Sequence, residues 1–493
     1  MKGILNKFSF CYLIYIGLNS SMYNIAECVN RISAEKKIWI TIDKQLAERL
    51  QNSDSTFARS IRKNSSLSKY KNTFFFPAIN GSLSILNKTK KPVIVQNKNE
   101  DLISVPILEK DVLKISKFGH RLGRRCGGFV SFDSPHDAQK EIIKYRKASI
   151  MQIPFPCSID NGHVSNEIKT IINTYRIQNT VDVLVNNFHN RYYESEEGLK
   201  APYWIKQKWI SIAKGRDDIK VEFFDHAPSF RQKSVMLSIK GSSFSQNKDI
   251  IIIGAHLDSI NSFGGYIKKD AQAPGADDNA SGIAVLTEVL EVIIEKGLRP
   301  KKTIQLMAFA AEEVGKRGST SIASNYREKG HNVMGMLNFD MVGYKDRRKD
   351  FFVYTDGTNK GQNLFLKKLM NLYMPDITVG ESQCGYACSD HHSWHVENFP
   401  ASYVSDTPFE NPPPGYHSEN DTFTSKEHIC KFVKLALMYL SEHAKLSRSP
   451  INKMPYLSTN PTPKPNKIST NTANMEKMNV TGLLILINIQ RNL

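Results

Sequence analysis

Between Asp249 and Tyr344, apolar runs stop four times in acids or a histidine. DIIIIGAHLDS ends in His256 and Asp258, GADDNASG carries Asp277 and Asp278, MAFAAEEVG carries Glu312 and Glu313, and MLNFDMVGY carries Asp340. A buried strand that ends in carboxylates is costly unless a cation collects them. Far downstream, GYHSENDTF offers His417. The set His256, Asp277, Glu313, Asp340 and His417 is a mixed nitrogen and oxygen environment without thiolate, which suits zinc before manganese or cobalt. A carboxylate can bridge two ions with its two oxygens, and Asp277 is the expected bridge, leaving each ion one histidine and one further acid. Two such ions polarise a carbonyl and acidify a water. Glu312 is then placed to take that water's proton and return it to a leaving amine, and Asp258 to orient His256.

Each motif also has a plainer reading. An isolated H-x-D is usually a solvated loop. Asp277 and Asp278 precede GIAVLTEVL and can serve as an acidic helix start, favourable with the helix dipole. An EE pair reads equally well as a solvated helix start. Asp340 resists such an explanation, because it sits inside an apolar run. His417 has the least internal support. The case rests on the acids recurring at the ends of successive strands.

The elements that must position these residues follow an alternating pattern. KVEFFDHA and KSVMLSIKG alternate like sheet strands, and IIIIGA is a continuous apolar run, the mark of a strand covered on both faces. From there helix and strand alternate: GIAVLTEVLEVIIEKG, KTIQLMAFA, GSTSIASNYREKG, VMGMLNFDMV, GQNLFLKKLMNLYM, FPASYVSD and a last helix, TSKEHICKFVKLALMYLSEHAKL. This predicts an α/β fold with a mixed, mostly parallel central sheet and helices on both faces. Ligands should gather outside the carboxyl ends of the central strands. Upstream, NEIKTIINTYRIQNTVDVLVNNFHNRYY and GLKAPYWIKQKWISIAK have helical spacing.

The chain of 493 residues exceeds one ordinary core, so two or three units are expected. Residues 1–26 read as a signal peptide: Lys2 and Lys7 precede an apolar run from Phe8 to Leu18 that is too short to span a membrane. The plainer alternative is a buried helix or strand. Residues 27–150 form a first α+β unit with a strand in KKIWITID and a capped helix in SPHDAQKEIIKYRKASIM, and they carry no catalytic constellation. The glycine-rich turn FGHRLGRRCGGF lacks phosphate-loop spacing. Residues 155–447 form the candidate catalytic unit. Residues 448–493 are a tail rich in Pro, Asn, Thr and Lys. The net charge of +18 is scattered, with no basic stripe interleaved with aromatics, which argues against nucleic-acid binding. Of the seven cysteines, Cys384 and Cys388 in CGYAC can close a small disulfide loop, and export would favour it.

FHNRYY, GLKAPYWI, GAHLDS, APGADDNASGIAVLTEVL, AAEEVGKRGS, CGYACSDHHSW and YHSENDT together resemble the bacterial leucyl aminopeptidase family of co-catalytic zinc exopeptidases. The resemblance runs from about Asn166 to Ala444. It implies one zinc on His256, Asp277 and Asp340, and a second on Asp277, Glu313 and His417. It implies Glu312 as general acid and base, with Asp258 as the partner of His256. It further implies a cis peptide at Asp277–Asp278, a disulfide between Cys384 and Cys388 and a pocket residue in Tyr386. His391 and His392 are also plausible ligands by type, but the family pattern assigns that role to His417. The family is usually made with an N-terminal propeptide that assists folding and restrains activity, which would be residues 27–150. The implied protein is a secreted, monomeric aminopeptidase acting on apolar peptide N-termini, with two zinc ions, peripheral or no membrane contact and no nucleic acid. A zinc carboxypeptidase or a glutaminyl cyclase-like enzyme on the same fold is the runner-up, and a binding protein that has lost its chemistry is the third reading. A carboxypeptidase needs a basic group for the substrate carboxylate, and none can be assigned. A binding protein would lack ligands, and every ligand position is filled.

Overall fold

The structure is a computed structural model. It describes residues 37–43 and 102–109, a few positions within 46–47 and 112–119, and residues 128–448 apart from 151–152, 156–157, 169, 263–270 and 347. The signal-peptide segment, the C-terminal tail, Cys28, Cys126 and Cys157 lie outside the described residues. The described residues up to 448 fall within one compact unit.

The first sheet holds β1 (Lys37–Asp43), β2 (Leu102–Leu108) and β3 (Phe129–Phe132) in the antiparallel order β2-β1-β3. Helix α1 (Pro135–Ile150) packs beside it, opened by Ser134, whose hydroxyl accepts the Asp137 amide at 3.1 Å. Helices α2 (Gly162–Ile168), α3 (Thr174–Asn186) and α4 (Glu196–Ala213) follow. Asn173 and Ser195 cap α3 and α4 by accepting first-turn amides. Helix α3 closes at its C-cap, Asn187, whose amide donates to the Val183 carbonyl, so FHNRYY is loop rather than the helix its spacing suggested.

The central sheet is built from β4 (Ile219–Phe224), β5 (Ser234–Ile239), β6 (Asp249–His256), β8 (Thr303–Phe309), β9 (Asn332–Phe339), β10 (Phe351–Tyr354), β11 (Val379–Ser382) and β12 (Ala401–Ser405). Its order is β11-β10-β12-β9-β6-β8-β5-β4. Strands β12, β9, β6 and β8 run parallel at its centre, and antiparallel pairings join β10 to β12 and β4 and β5 to β8. The short strands β7 (Leu298–Arg299) and β13 (Ser447–Arg448) pair separately. Strands β10 and β11 are short and were not expected from the sequence.

Helices cover both faces. Alternate residues of β6 show this directly. Ile251, Ile253 and Ala255 join a core with α3, α4, α5 (Gly282–Glu295), α7 (Lys360–Tyr373) and α9 (Lys426–Ala444). Ile250 and Ile252 join the opposite core with α6 (Arg317–Glu328) and with Trp394 of α8 (His391–Val396). The period of two along a strand buried on both sides explains the unbroken isoleucine run. The register aligns the strand ends: His256 pairs with Phe309, Gly254 with Asn338 and Val404 with Phe339. Whatever follows these residues emerges at one edge of the sheet.

The N-terminal sheet shares an apolar cluster with Tyr192, Tyr193, Phe230, Ile260, Ala310, Ala311 and Val314. It packs within the same compact unit as the central sheet, so the structure does not set it apart as a domain of its own.

Candidate metal centre

Every ligand candidate lies where a central strand ends or in a loop that returns to that edge. His256 is the last residue of β6, Glu312 and Glu313 follow β8, and Asp340 follows β9. His417 comes from the long loop before α9, and Asp278 from the turn Ala276–Ser281 that opens α5. His256 Nε2 stands 2.9 Å from Asp278 Oδ1 and 3.2 Å from Asp340 Oδ1. His417 Nε2 stands 2.8 Å from Asp278 Oδ2 and 3.0 Å from Glu313 Oε2. The two oxygens of one carboxylate thus face two different imidazoles. Two donor sets result, His256–Asp278–Asp340 and Asp278–Glu313–His417, all buried, and Asp278 belongs to both.

This corrects one expectation. The shared carboxylate is that of Asp278, not Asp277. Asp277 Oδ1 accepts the Gly343 amide at 2.7 Å, and the Asp277 carbonyl accepts the Ser281 hydroxyl. The amides of Asp277 and Asp278 both donate to Asp421, at 2.9 and 3.1 Å. The clamp turns the Asp277 side chain toward Gly343 and leaves Asp278 facing the histidines. The cis peptide also lies one residue further on, at Asp278–Asn279. His391 and His392 fall in neither donor set: His391 stacks on Tyr403, and His392 stacks on Tyr145 and faces Glu141 at 3.4 Å.

The supporting groups are fixed by backbone bonds. His256 Nδ1 lies 3.2 Å from the Asp258 carbonyl and 3.5 Å from its carboxylate. That carboxylate accepts the amides of Glu312 and Glu313, at 3.0 and 3.2 Å. Asp258 therefore joins the end of β6 to the acidic loop after β8. Ser389, in turn, donates to Asp340 Oδ2 at 2.5 Å and accepts Asn338 Nδ2 at 2.7 Å. Three non-glycine residues in or beside the donor sets adopt positive φ: Ala311 at 53°, Met341 at 53° and His417 itself at 56°. Such conformations cost about 1–3 kcal/mol each and persist where neighbours impose them. Here the neighbours are Gln232, which accepts the Ala311 amide at 3.0 Å, and Asp406, whose amide donates to the Met341 carbonyl at 2.9 Å.

The charges are arranged for cations. Burial opposes a proton on His256, yet Asp340, Asp258 and Asp278 outweigh it and hold the pKa well above the ordinary value. Burial likewise opposes charge on His417, but Glu313 and Asp278 raise it to about 10. Burial raises Glu313 to about 8 against the pull of His417, and it raises Glu312 well above the usual range. Asp278 stays below the ordinary carboxylate range because both histidines offset its burial. Imidazoles crowded by acids in this way, with lone-pair donors converging, suit ions that replace those protons. Glu312 is fully buried, and neither carboxylate oxygen has a hydrogen-bond partner among the described residues. Its carboxylate interacts electrostatically with His256 and Glu313 but belongs to neither donor set.

Cys384 and Cys388 form a disulfide, and Cys430 is not in one. The disulfide packs with Phe352, Tyr354, Tyr386 and Tyr403. Tyr386 meets Phe409 edge-on at 5.7 Å, and the Tyr403 hydroxyl donates to the Asp340 carbonyl at 3.3 Å. An aromatic wall thus adjoins Asp340, the candidate donor that follows β9.

The sequence profile of Peptidase family M28 matches residues 234–440. The chain is 32% identical over 309 residues to leucine aminopeptidase 1 of Arthroderma otae, spanning 59% of this chain and 80% of that one. The chain belongs to peptidase family M28. A probable leucine aminopeptidase of Trichophyton verrucosum is 37% identical to this M28 chain over 270 residues, covering 52% of it and 70% of the relative. Among solved structures, LapB of Legionella pneumophila superposes with a TM-score of 0.64 at 25% identity, covering 83% of this chain and 99% of LapB. The LapA aminopeptidase of the same organism gives a TM-score of 0.64 at 24% identity, over 83% and 98%. The relatives are fungal as well as bacterial, so the bacterial label in the sequence resemblance is too narrow. The supported statement is an M28 exopeptidase related to leucine aminopeptidases.

The sequence reading did not single out Asp278 as the carboxylate common to both donor sets, or Asp421, Ser389 and Gln232 as groups that hold the surrounding backbone and side chains. Asp421 and Ser389 lie inside motifs already singled out, SENDT and CSDHHSW, but their partners are far away in sequence. Nothing local marks Gln232.

Proposed function

We propose that this chain is a two-zinc aminopeptidase that removes an apolar, leucine-like residue from peptide N-termini. The observation that carries this reading is a carboxylate, Asp278, shared by two buried donor sets, with the unengaged Glu312 beside them. His256, Asp278 and Asp340 would hold one zinc, and Asp278, Glu313 and His417 the other. When bound, such ions polarise the scissile carbonyl and make a water acidic near neutral pH. Glu312 takes the proton from the attacking water and delivers it to the departing amine. Asp258 fixes His256 and the two glutamate amides in one arrangement. The aromatic wall around Tyr386 provides the apolar surface for the side chain of the residue removed. The substrate is the N-terminus of a peptide or protein, and the enzyme works as a monomer without nucleic acid.

The same reading makes the protein secreted, with a signal peptide over 1–26, a removable N-terminal segment over 27–150, a catalytic unit over 155–447 and a dispensable tail over 448–493. Supporting the removable segment, its residues grip the loop that bears Glu312 and Glu313. Ser116 Oγ donates to the Glu313 carbonyl at 3.4 Å, Ser131 Oγ to that of Val314 at 2.8 Å, and Lys316 Nζ to that of Phe129 at 2.8 Å. Among the described residues, no helix is long and apolar enough to cross a membrane.

Processed protein should hydrolyse leucine-p-nitroanilide, lose the activity to a chelator and regain it with zinc. Glu312→Gln should bind zinc but turn over about 10²–10⁴-fold more slowly. Full activity in that variant, or equal cleavage of peptides with blocked N-termini, would refute the reading.

A further inference from the structure

The donor sets hang on loops, and loops need something to set their spacing. Arg191 lies between α3 and α4 and is 1% exposed. Its guanidinium donates to backbone carbonyls. Nε reaches Leu257 at 3.0 Å, Nη1 reaches Leu184 at 3.1 Å and also Pro274, and Nη2 reaches Gly275 at 2.7 Å. Leu257 stands between His256 and Asp258, Pro274 and Gly275 lead directly into Asp277 and Asp278, and Leu184 belongs to the rigid helix α3. The Arg191 amide donates to Ser259 Oγ at 3.1 Å, and that hydroxyl donates to the Ala273 carbonyl at 2.7 Å, tying the same two loops again.

A second link reaches the third loop. The Arg191 carbonyl accepts Gln232 Nε2 at 3.1 Å, and Gln232 Oε1 accepts the amide of Ala311, the residue before Glu312. Gln232 is fully buried. The fit is close: Gly275 has φ 52°, and a Cβ there would come within 2.8 Å of Arg191 Nη2 and 2.5 Å of Ser259 Cβ. Only a planar, forked cation can serve several carbonyls in one plane; a lysine offers a single point.

We propose that Arg191, with Gln232 as its second link, is a positioning residue that fixes the separation of the loops bearing His256, Asp278 and Glu312–Glu313, and so controls the turnover step. A buried arginine that only stabilised the fold would bond to core elements. This one spans from a core helix to the backbone beside two ligand-bearing segments, and it reaches the third through Gln232. A displacement of about 1 Å at a reacting group can cost on the order of 10²-fold in rate.

The inference rests on the two-metal reading. The test uses Arg191→Lys and Gln232→Met in the processed protein, loaded with zinc for kinetics and with cobalt for visible absorption. Arg176→Met, which removes a partly buried ion pair with Glu288 between α3 and α5, is the control for lost stability alone. The expected result for Arg191→Lys is a kcat lower by roughly 10–100-fold with KM within about threefold. Its cobalt bands should shift, while Arg176→Met leaves kcat and bands unchanged. Gln232→Met should show the same pattern more weakly and decides the matter where Arg191→Lys does not fold. Unchanged kcat and cobalt bands in the folded variants would overturn the inference. A wild-type protein that takes up no second cobalt would instead overturn the two-metal reading.

Discussion

The two donor sets share Asp278 but are built differently. The His256–Asp340 side is a product of the sheet. Its residues sit at the ends of β6 and β9, neighbouring parallel strands whose register places Gly254 opposite Asn338. The Glu313–His417 side is a product of loops. Glu313 lies four residues beyond β8, and His417 sits in left-handed backbone with φ 56°. The first half inherits its geometry from a buried ladder. The second must be held by bonds made after the chain has closed, including those from Ser116, beyond β2, and Ser131 of β3. One centre can therefore have a rigid half and a dependent half.

That difference predicts unequal responses. His417→Ala should lose the loop-held ion and most activity while keeping the ion of the sheet-held half, read as bound zinc per chain. His256→Ala should release the sheet-held ion, and titration of the remaining site separates the two. A smaller effect is expected from Ser389→Ala, which deprives Asp340 of its 2.5 Å hydrogen bond. Zinc affinity at the sheet-held half should fall about 10–100-fold with the other half little changed, measured by competition with a chromophoric chelator. The pH dependence follows from the raised histidines. His417 at about 10 and His256 well above its ordinary value both carry a proton at neutral pH in the metal-free protein. Those protons stabilise the metal-free fold fully below the unfolded histidine value of about 6.5, and the contribution is lost as pH rises through the folded values. Zinc must displace them, so its apparent affinity should rise with pH between about 6 and 9; an affinity flat across that range would exclude this protonation. The mildest change is Ser131→Ala in the unprocessed chain. It should cost about 1 kcal/mol in thermal unfolding and weaken the loop-held ion before the sheet-held one.

Much of this was legible in the sequence because strand burial and strand ends leave marks. The IIIIGAH run predicted a doubly covered strand, and the acids after each apolar run predicted where ligands gather. The choice between Asp277 and Asp278 was not legible. Adjacent residues of one type differ only in what claims them, and Asp277 is claimed by the amide of Gly343, 66 residues away. Strands β10 and β11, with four residues each, are too short to show a period. Arg191 was hidden for another reason. FHNRYY continues the helical spacing of α3, and only the capped end of that helix at Asn187 frees the arginine to reach across to the loops.

The central claim is that Asp278, not its neighbour, joins the two halves. Zinc bound per chain should be measured in Asp278→Asn and Asp277→Asn, alongside leucine-p-nitroanilide hydrolysis. The structure predicts that Asp278→Asn loses zinc from both halves and has no measurable turnover, while Asp277→Asn keeps both ions and a reduced rate. Two ions retained by Asp278→Asn, with zinc lost from Asp277→Asn, would contradict it.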